Sequence, residues 1–164
     1  MQIDIRVLLS IAGLAILVGC AERGLDEPTT PILTAATLGE QNVRPVSDYL
    51  ASAPYAAADL RNGERQAQVC RACHIFSEGG AHMLGPSLHG IFGTSAGTRA
   101  GFDYSEALRS ADFIWTPRAL DAWLVQPGRF LPGNRMVFAG VSRASDRNDL
   151  IAYLLNVTVA SSEE

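Results

Sequence analysis

The sequence predicts an all-α domain, on three observations. Apolar residues recur at helical spacing in several segments, one of these opens on a Thr-Pro start signal, and no stretch alternates apolar and polar as a half-buried strand would. The chain has 164 residues, 48% of them hydrophobic, which is enough apolar material for one core and a tail.

The first element is a targeting segment. Arg6 is followed by an apolar run over residues 7–19, then by Cys20 and Ala21. The run is shorter than the roughly 20 residues that cross a bilayer as a helix and has the dimensions of a signal-peptide core. Its end, Leu17-Val18-Gly19-Cys20, resembles a bacterial lipobox, which makes Cys20 the expected lipidated N-terminus of the mature chain. An uncleaved anchor with a chance cysteine is the alternative. Either way the remainder is expected outside the cytoplasm, on the periplasmic side, attached to the membrane. Residues 1–19 are thus the signal peptide. Residues 20–54, with Pro28, Pro31, Pro45 and Pro54 and no sustained helical period, read as a flexible tether reaching roughly 30–35 Å, within which Val46 to Ala51 are a candidate short helix or a stretch that packs on the domain. Residues 55–160 form the domain.

Within the domain, residues 56–69 form the first expected helix. Thr116-Pro117 supplies an N-cap with proline at the first helical position, and that helix ends before Pro127. Ser145-Asp146 starts the last helix, with Leu150, Leu154 and Val157 on one face.

The net charge of −4 is unevenly placed. Glu22, Asp26, Glu27, Glu40 and Asp48 outweigh Arg23 and Arg44 ahead of the domain, so the domain itself is near neutral. Lysine is absent from the chain, and guanidinium groups favour oriented bidentate contacts over diffuse attraction. No basic stripe points to nucleic acid as a partner.

Of the three cysteines, Cys70 and Cys73 remain after Cys20, in Cys70-Arg71-Ala72-Cys73-His74. Four readings compete. A structural zinc site needs four ligands, and only His82 and His89 are at hand to complete it. A thioredoxin-like pair needs a βαβ context that the flanks lack. A disulfide between the two closes a small strained ring. Covalent attachment of haem c uses all three residues: two thiols add across the two vinyl groups of one porphyrin, and the adjacent histidine falls under the iron. An aromatic content of only 7% fits a core in which a large apolar cofactor fills volume. For the second axial position the candidates are Met83, Met136, His82, His89 or no residue. Met136 sits after the Pro132-Gly133 turn, in an irregular loop suited to presenting a thioether; Met83 is too near His74 in sequence to reach the opposite face easily.

From Gly63 to about Val157 the sequence resembles the class I cytochromes c, the soluble mitochondrial and alphaproteobacterial group. The resemblance rests on five ordered blocks: the haem motif; Gly85-Pro86-Ser87-Leu88-His89-Gly90; Gly101-Phe102-Asp103-Tyr104-Ser105 with Trp115; the loop from Leu131 to Gly140; and Asp149-Leu150-Ile151-Ala152-Tyr153-Leu154. It implies a fold of helices and Ω-loops wrapped around one covalent haem. It further implies that the Pro86 carbonyl holds the His74 ring, that Met136 is the second ligand, and that Tyr104, Trp115 and Asn134 serve the haem propionates. Thr94 stands where many members place a propionate-binding arginine. Trp123 replaces a tyrosine near the methionine sulfur, Asn134 replaces a threonine, and Ala67 sits near an expected aromatic, which should weaken the packing of the first helix against Leu150 and Tyr153. His82 and His89 are expected to be structural, and Arg71, Arg129 and Arg135 to ring the haem edge.

The implied function is one-electron transfer rather than catalysis. Expected partners are a quinol-oxidising complex or dehydrogenase as donor and a terminal oxidase as acceptor. A fixed electron-entry subunit of a larger oxidoreductase and a haem-based sensor or enzyme are the alternatives.

Overall fold

The computed structural model describes residues 33–159. Cys20 and the targeting segment lie outside the described residues. The described elements are α1 (Val46–Leu50), α2 (Leu60–Arg71), α3 (Glu106–Arg109), α4 (Pro117–Val125), α5 (Pro127–Phe130) and α6 (Ala144–Val157). Short 3-10 turns cover Ala35–Thr37 and Tyr55–Ala57. Among the described residues, extended pairing is limited to one bridge between Ser95 and Ile114. The all-α expectation holds.

Two long helices, α2 and α6, form the frame. Helix α2 starts later than the sequence suggests. Asp59 adopts an extended backbone and its carboxylate accepts the N–H groups of Arg61 and Asn62 at 2.9 and 3.1 Å, so the helix begins there and residues 55–57 form a separate turn. A polar clamp then ties α2 to α6. The Asp59 N–H donates to Asp149 at 2.9 Å, while the Asn62 amide donates to Asp146 at 2.9 Å and to Asp149 at 2.8 Å. Because Asp146 faces α2, Ser145-Asp146 does not cap its own helix; α6 opens one residue earlier, after Arg143.

Beneath the clamp the two backbones touch. A Cβ added to Gly63 would lie 2.1 Å from the Asp149 carbonyl oxygen, so only glycine fits there. One turn on, Ala67 is 0% exposed, as is Leu150. The small side chain at 67 therefore belongs to a close helix crossing, and the expected loss of packing for want of an aromatic is not what the geometry shows. Arg71 covers the next turn, its guanidinium 4.4 Å from the Phe76 ring centre and donating to the Tyr153 hydroxyl at 2.8 Å.

Helix α4 follows its start signal: Thr116 caps the Ala119 N–H at 3.1 Å and Pro117 takes the first position. Its buried face, including Leu120, Trp123 and Leu124, packs with Phe113 and Phe130 through edge-to-face aromatic contacts. Arg147 of α6 is buried rather than solvated. It donates to Asp121 at 2.7 Å and to the carbonyls of Val141 and Ser142 at 2.9 and 2.8 Å, joining α6, α4 and the loop between them.

Residues 33–54 depart from the flexible tether expected over 20–54. Leu38 is 1% exposed within the core, and the Arg118 guanidinium donates to its carbonyl at 2.8 Å. Tyr49 is also buried, with its hydroxyl donating to the Asn42 carbonyl at 2.9 Å. Burying a leucine side chain contributes roughly 1.5–3 kcal/mol, enough to hold this segment on the domain. The packed unit therefore begins near Leu33, not at residue 55.

Candidate haem site

The haem motif sits where α2 ends. Cys70 lies in the last turn of the helix, and its carbonyl accepts the N–H groups of Cys73 and His74 at 3.0 and 2.9 Å, a tight turn that carries the chain out of α2 through the motif. Both cysteines are free and half-buried. Burial pushes the Cys70 thiol up to about 11. Among the described residues no three His, Cys, Asp or Glu side chains converge as a metal cluster.

His74 is held by the loop that follows. Its Nδ1–H donates to the Pro86 carbonyl at 2.7 Å, which fixes the tautomer and leaves the Nε2 lone pair free. Burial lowers its pKa, with the Pro86 bond opposing, so the ring is neutral and able to act as a ligand. Gly85 makes this seat possible. A Cβ there would stand 2.3 Å from the imidazole Cε1, so the ring rests directly on glycine backbone. The Gly85 N–H in turn donates to the Cys73 carbonyl at 2.9 Å. Sequence reasoning placed Pro86 in the site but overlooked Gly85, whose signal was a glycine immediately before the carbonyl-donating proline. His82 is structural: its Nδ1 accepts the Ser87 N–H at 3.1 Å and its Nε2–H donates to the Ala100 carbonyl at 2.9 Å. His89 contributes main chain, its carbonyl accepting from Arg99 at 2.6 Å.

Met136 lies half-buried against the core, in the loop after α5. The loop is closed by Asn134. Its Nδ2 donates to the carbonyls of Pro127 and Leu131 at 2.9 and 2.8 Å, while its Oδ1 accepts the Met136 N–H at 2.9 Å. Both amide hydrogens are thus committed to main chain. Asn134 does not serve a propionate as the resemblance implies; it shapes the methionine loop. Met83 is exposed and lies two residues from Gly85, on the His74 side of the site.

Tyr104 and Trp115 occupy half-buried positions. Burial raises the Tyr104 pKa, opposed by Arg99 through its charge and a main-chain hydrogen bond. Trp115 packs edge-on against Phe113 and Trp123, with ring centres 4.8 and 5.3 Å apart. Of the three arginines expected to ring the haem edge, Arg71 lies over Phe76 and Arg135 bonds to the Asp103 carboxylate at 3.2 Å.

The residues present fit a covalent porphyrin. Two free thiols lie within four residues of an imidazole seated in a glycine cradle, and a thioether is held on a braced loop. No protein-family model matches the chain. Cytochrome c of Chlamydomonas reinhardtii is 45% identical over 103 residues, covering 62% of this chain and 92% of that protein. Cytochrome c of Kluyveromyces lactis is 34% identical over 104 residues, covering 63% and 94%. Cytochrome c 2.1 of Caenorhabditis elegans is 40% identical over 99 residues, covering 60% and 88%. With nearly the whole of these relatives covered, and a helical fold closing around the haem motif, the chain belongs to the class I c-type cytochromes and is an electron carrier with one covalently bound haem c.

Proposed function

We propose that the protein is a membrane-tethered, extracytoplasmic carrier in which His74 and Met136 are the axial ligands. Electrons pass from a quinol-oxidising complex or dehydrogenase to a terminal oxidase or another acceptor. The observation that carries this reading is that both ligands are braced by main-chain hydrogen bonds, His74 by Pro86 and Met136 through Asn134.

The bound haem supplies the ferric–ferrous couple. The chain does the rest. Cys70 and Cys73 hold the ring covalently, and His74 offers a lone pair whose direction Pro86 fixes. Met136 would supply a weakly basic thioether, which raises the potential, and with His74 and Met136 both committed to the iron the site would disfavour oxygen or peroxide. Phe113, Trp123 and Phe130 form a buried aromatic wall that keeps water away. In this reading Tyr104 and Trp115 hold the propionates. Partner docking falls to the exposed apolar side chains next to the haem-binding residues: Val69 beside Cys70, Met83 and Leu84 beside Gly85, and Val137 beside Met136. Acylated Cys20 provides the tether.

Replacing Met136 with Ala tests the ligation. Loss of the far-red sulfur-to-iron band, a lower potential and fast carbon monoxide binding to the ferrous form are expected; an unchanged spectrum would place the ligand elsewhere. Mass spectrometry of the mature N-terminus tests the tether, with a diacylated or triacylated Cys20 expected and an intact Met1 refuting it.

A further inference from the structure

Arg147 is the one charged side chain buried among the described residues. A buried ion pair is a weak source of stability, because apolar side chains of similar volume often serve a core as well or better. What the guanidinium adds here is direction. Its Nε–H donates to Asp121 of α4 at 2.7 Å, and its Nη1 donates to the Val141 and Ser142 carbonyls at 2.9 and 2.8 Å. A planar, rigid fork meets all three acceptors only when the loop backbone at 141–142 takes one position against α4 and α6.

The same stretch is fixed twice more. The Val141 N–H donates to the Leu124 carbonyl at 2.7 Å. Gly140, at a φ of 101°, lies so close to α4 that an added Cβ would stand 2.2 Å from the Val125 carbonyl oxygen. This stretch is the outgoing limb of the loop that carries Met136. Asn134 holds the chain as it enters Met136, through the methionine N–H. Residues 140–142 hold it as it leaves. Between the two fixtures Val137 is fully exposed and Phe138 packs against the core. The place of Met136 therefore depends on both ends, and Arg147 secures the far one.

We propose that Arg147, aimed by Asp121, is a positioning residue for Met136: it fixes the outgoing limb of the loop so that the thioether stays over the iron. The proposal rests on the reading that Met136 is the second axial ligand.

The test uses the full-length holoprotein and the variants Arg147→Gln, Arg147→Lys and Asp121→Asn. Asp59→Ala is the control, since it removes the cap of α2 and touches no residue of the loop. Imidazole added to the ferric protein displaces the thioether when the loop opens, so its apparent dissociation constant measures opening. In R147Q that constant is expected to fall about tenfold, the change in open population that losing one buried hydrogen bond implies. Carbon monoxide binding to the ferrous form should quicken by a similar factor. R147K, which keeps the charge and one donor group, should fall between parent and R147Q, and so should D121N. D59A should lower the urea midpoint and keep the parent imidazole constant, which separates positioning from general stability. A parent constant in R147Q overturns the proposal, as does a D59A constant that falls as far as that of R147Q. Where R147Q yields no folded holoprotein, R147K carries the test: a fall of about threefold is expected, and a parent value overturns the proposal. A parent constant in D121N overturns the assignment to Asp121. A parent protein without the far-red band overturns the ligand reading and this proposal with it, whereas a parent band with R147Q at parent values overturns this proposal alone.

Discussion

Asn134 and Met136 are joined by a single hydrogen bond, from the methionine N–H to the asparagine Oδ1 at 2.9 Å, and the other face of the same amide holds the carbonyls of Pro127 and Leu131. One side chain therefore spans the end of α5 and the residue proposed to bind iron. Asn134→Ala leaves the Met136 N–H without its partner and removes one of the two donors to each of the Pro127 and Leu131 carbonyls, which keep the main-chain N–H groups of Leu131 and Asn134, a loss of about 1–3 kcal/mol concentrated in this loop. The far-red sulfur-to-iron band should disappear at lower urea than the far-ultraviolet helix signal. In the parent the two transitions should lie closer together. Coincident transitions in the variant would show that Asn134 does not govern the loop.

Gly85→Ala places a methyl group where the His74 imidazole lies. The ring must tilt or the Gly85–Cys73 hydrogen bond must break. Either change should weaken iron–imidazole binding without touching the cysteines. Covalent haem incorporation is expected to persist, seen as pigmented protein after denaturing electrophoresis, while ferric spectra become mixed in ligation. A parent-like spectrum would refute the tight seat.

Arg147→Met tests a buried guanidinium that joins three segments. Asp121 loses its partner, and the Val141 and Ser142 carbonyls lose their donor. Destabilisation of about 2–4 kcal/mol is expected in urea unfolding. Pairing the change with Asp121→Asn should recover part of it, because the uncompensated charge is then gone. Additive losses would show that the ion pair itself matters little.

Leu38→Ala probes the segment ahead of α2. A fully buried leucine truncated to alanine costs about 2–5 kcal/mol. A chain starting at residue 33 should match the stability of the full holoprotein, whereas one starting at residue 55 should be less stable by a similar amount. Equal stability of both truncations would restore the tether boundary expected from sequence.

Partner docking should respond weakly to salt. The domain is near neutral and lacks lysine, and Val69, Met83, Leu84 and Val137 are exposed next to the haem-binding residues. Between low and physiological salt, the second-order rate with a purified redox partner should change by less than about threefold, because the positive and negative charges of the domain nearly balance and leave little net field to be screened. A tenfold fall would indicate charge-steered docking.

The parts of this molecule legible in sequence are those written in local chemistry. Cys70, Cys73 and His74 adjoin one another, Thr116-Pro117 caps within its own turn, and Pro86 lies close to the histidine it holds. The parts that were not legible depend on partners distant in the chain. Asp59 ends one element and begins another partly because Asp149 receives its N–H, ninety residues on. Arg147 looks like any surface arginine until Asp121 and two carbonyls meet it. Val46 to Ala51, which holds Tyr49, is legible as a short helix or a stretch packed on the domain, whereas Leu38 has no periodic neighbours and nothing local announces that it enters the core. Asn134 misled for another reason: its amide is able to serve either a propionate or a carbonyl, and only the geometry of Pro127 and Leu131 decides.

The packing of residues 33–54 onto the domain also changes what a lipid at Cys20 would mean. Only residues 20–32 then separate the acylated end from the folded body, a stretch that extends to about 45 Å at most. On so short a leash such a carrier would have no third dimension to wander in. It would meet its donors and acceptors by sliding along the bilayer surface, so its encounter rate would follow the crowding and fluidity of the membrane rather than the volume of the compartment.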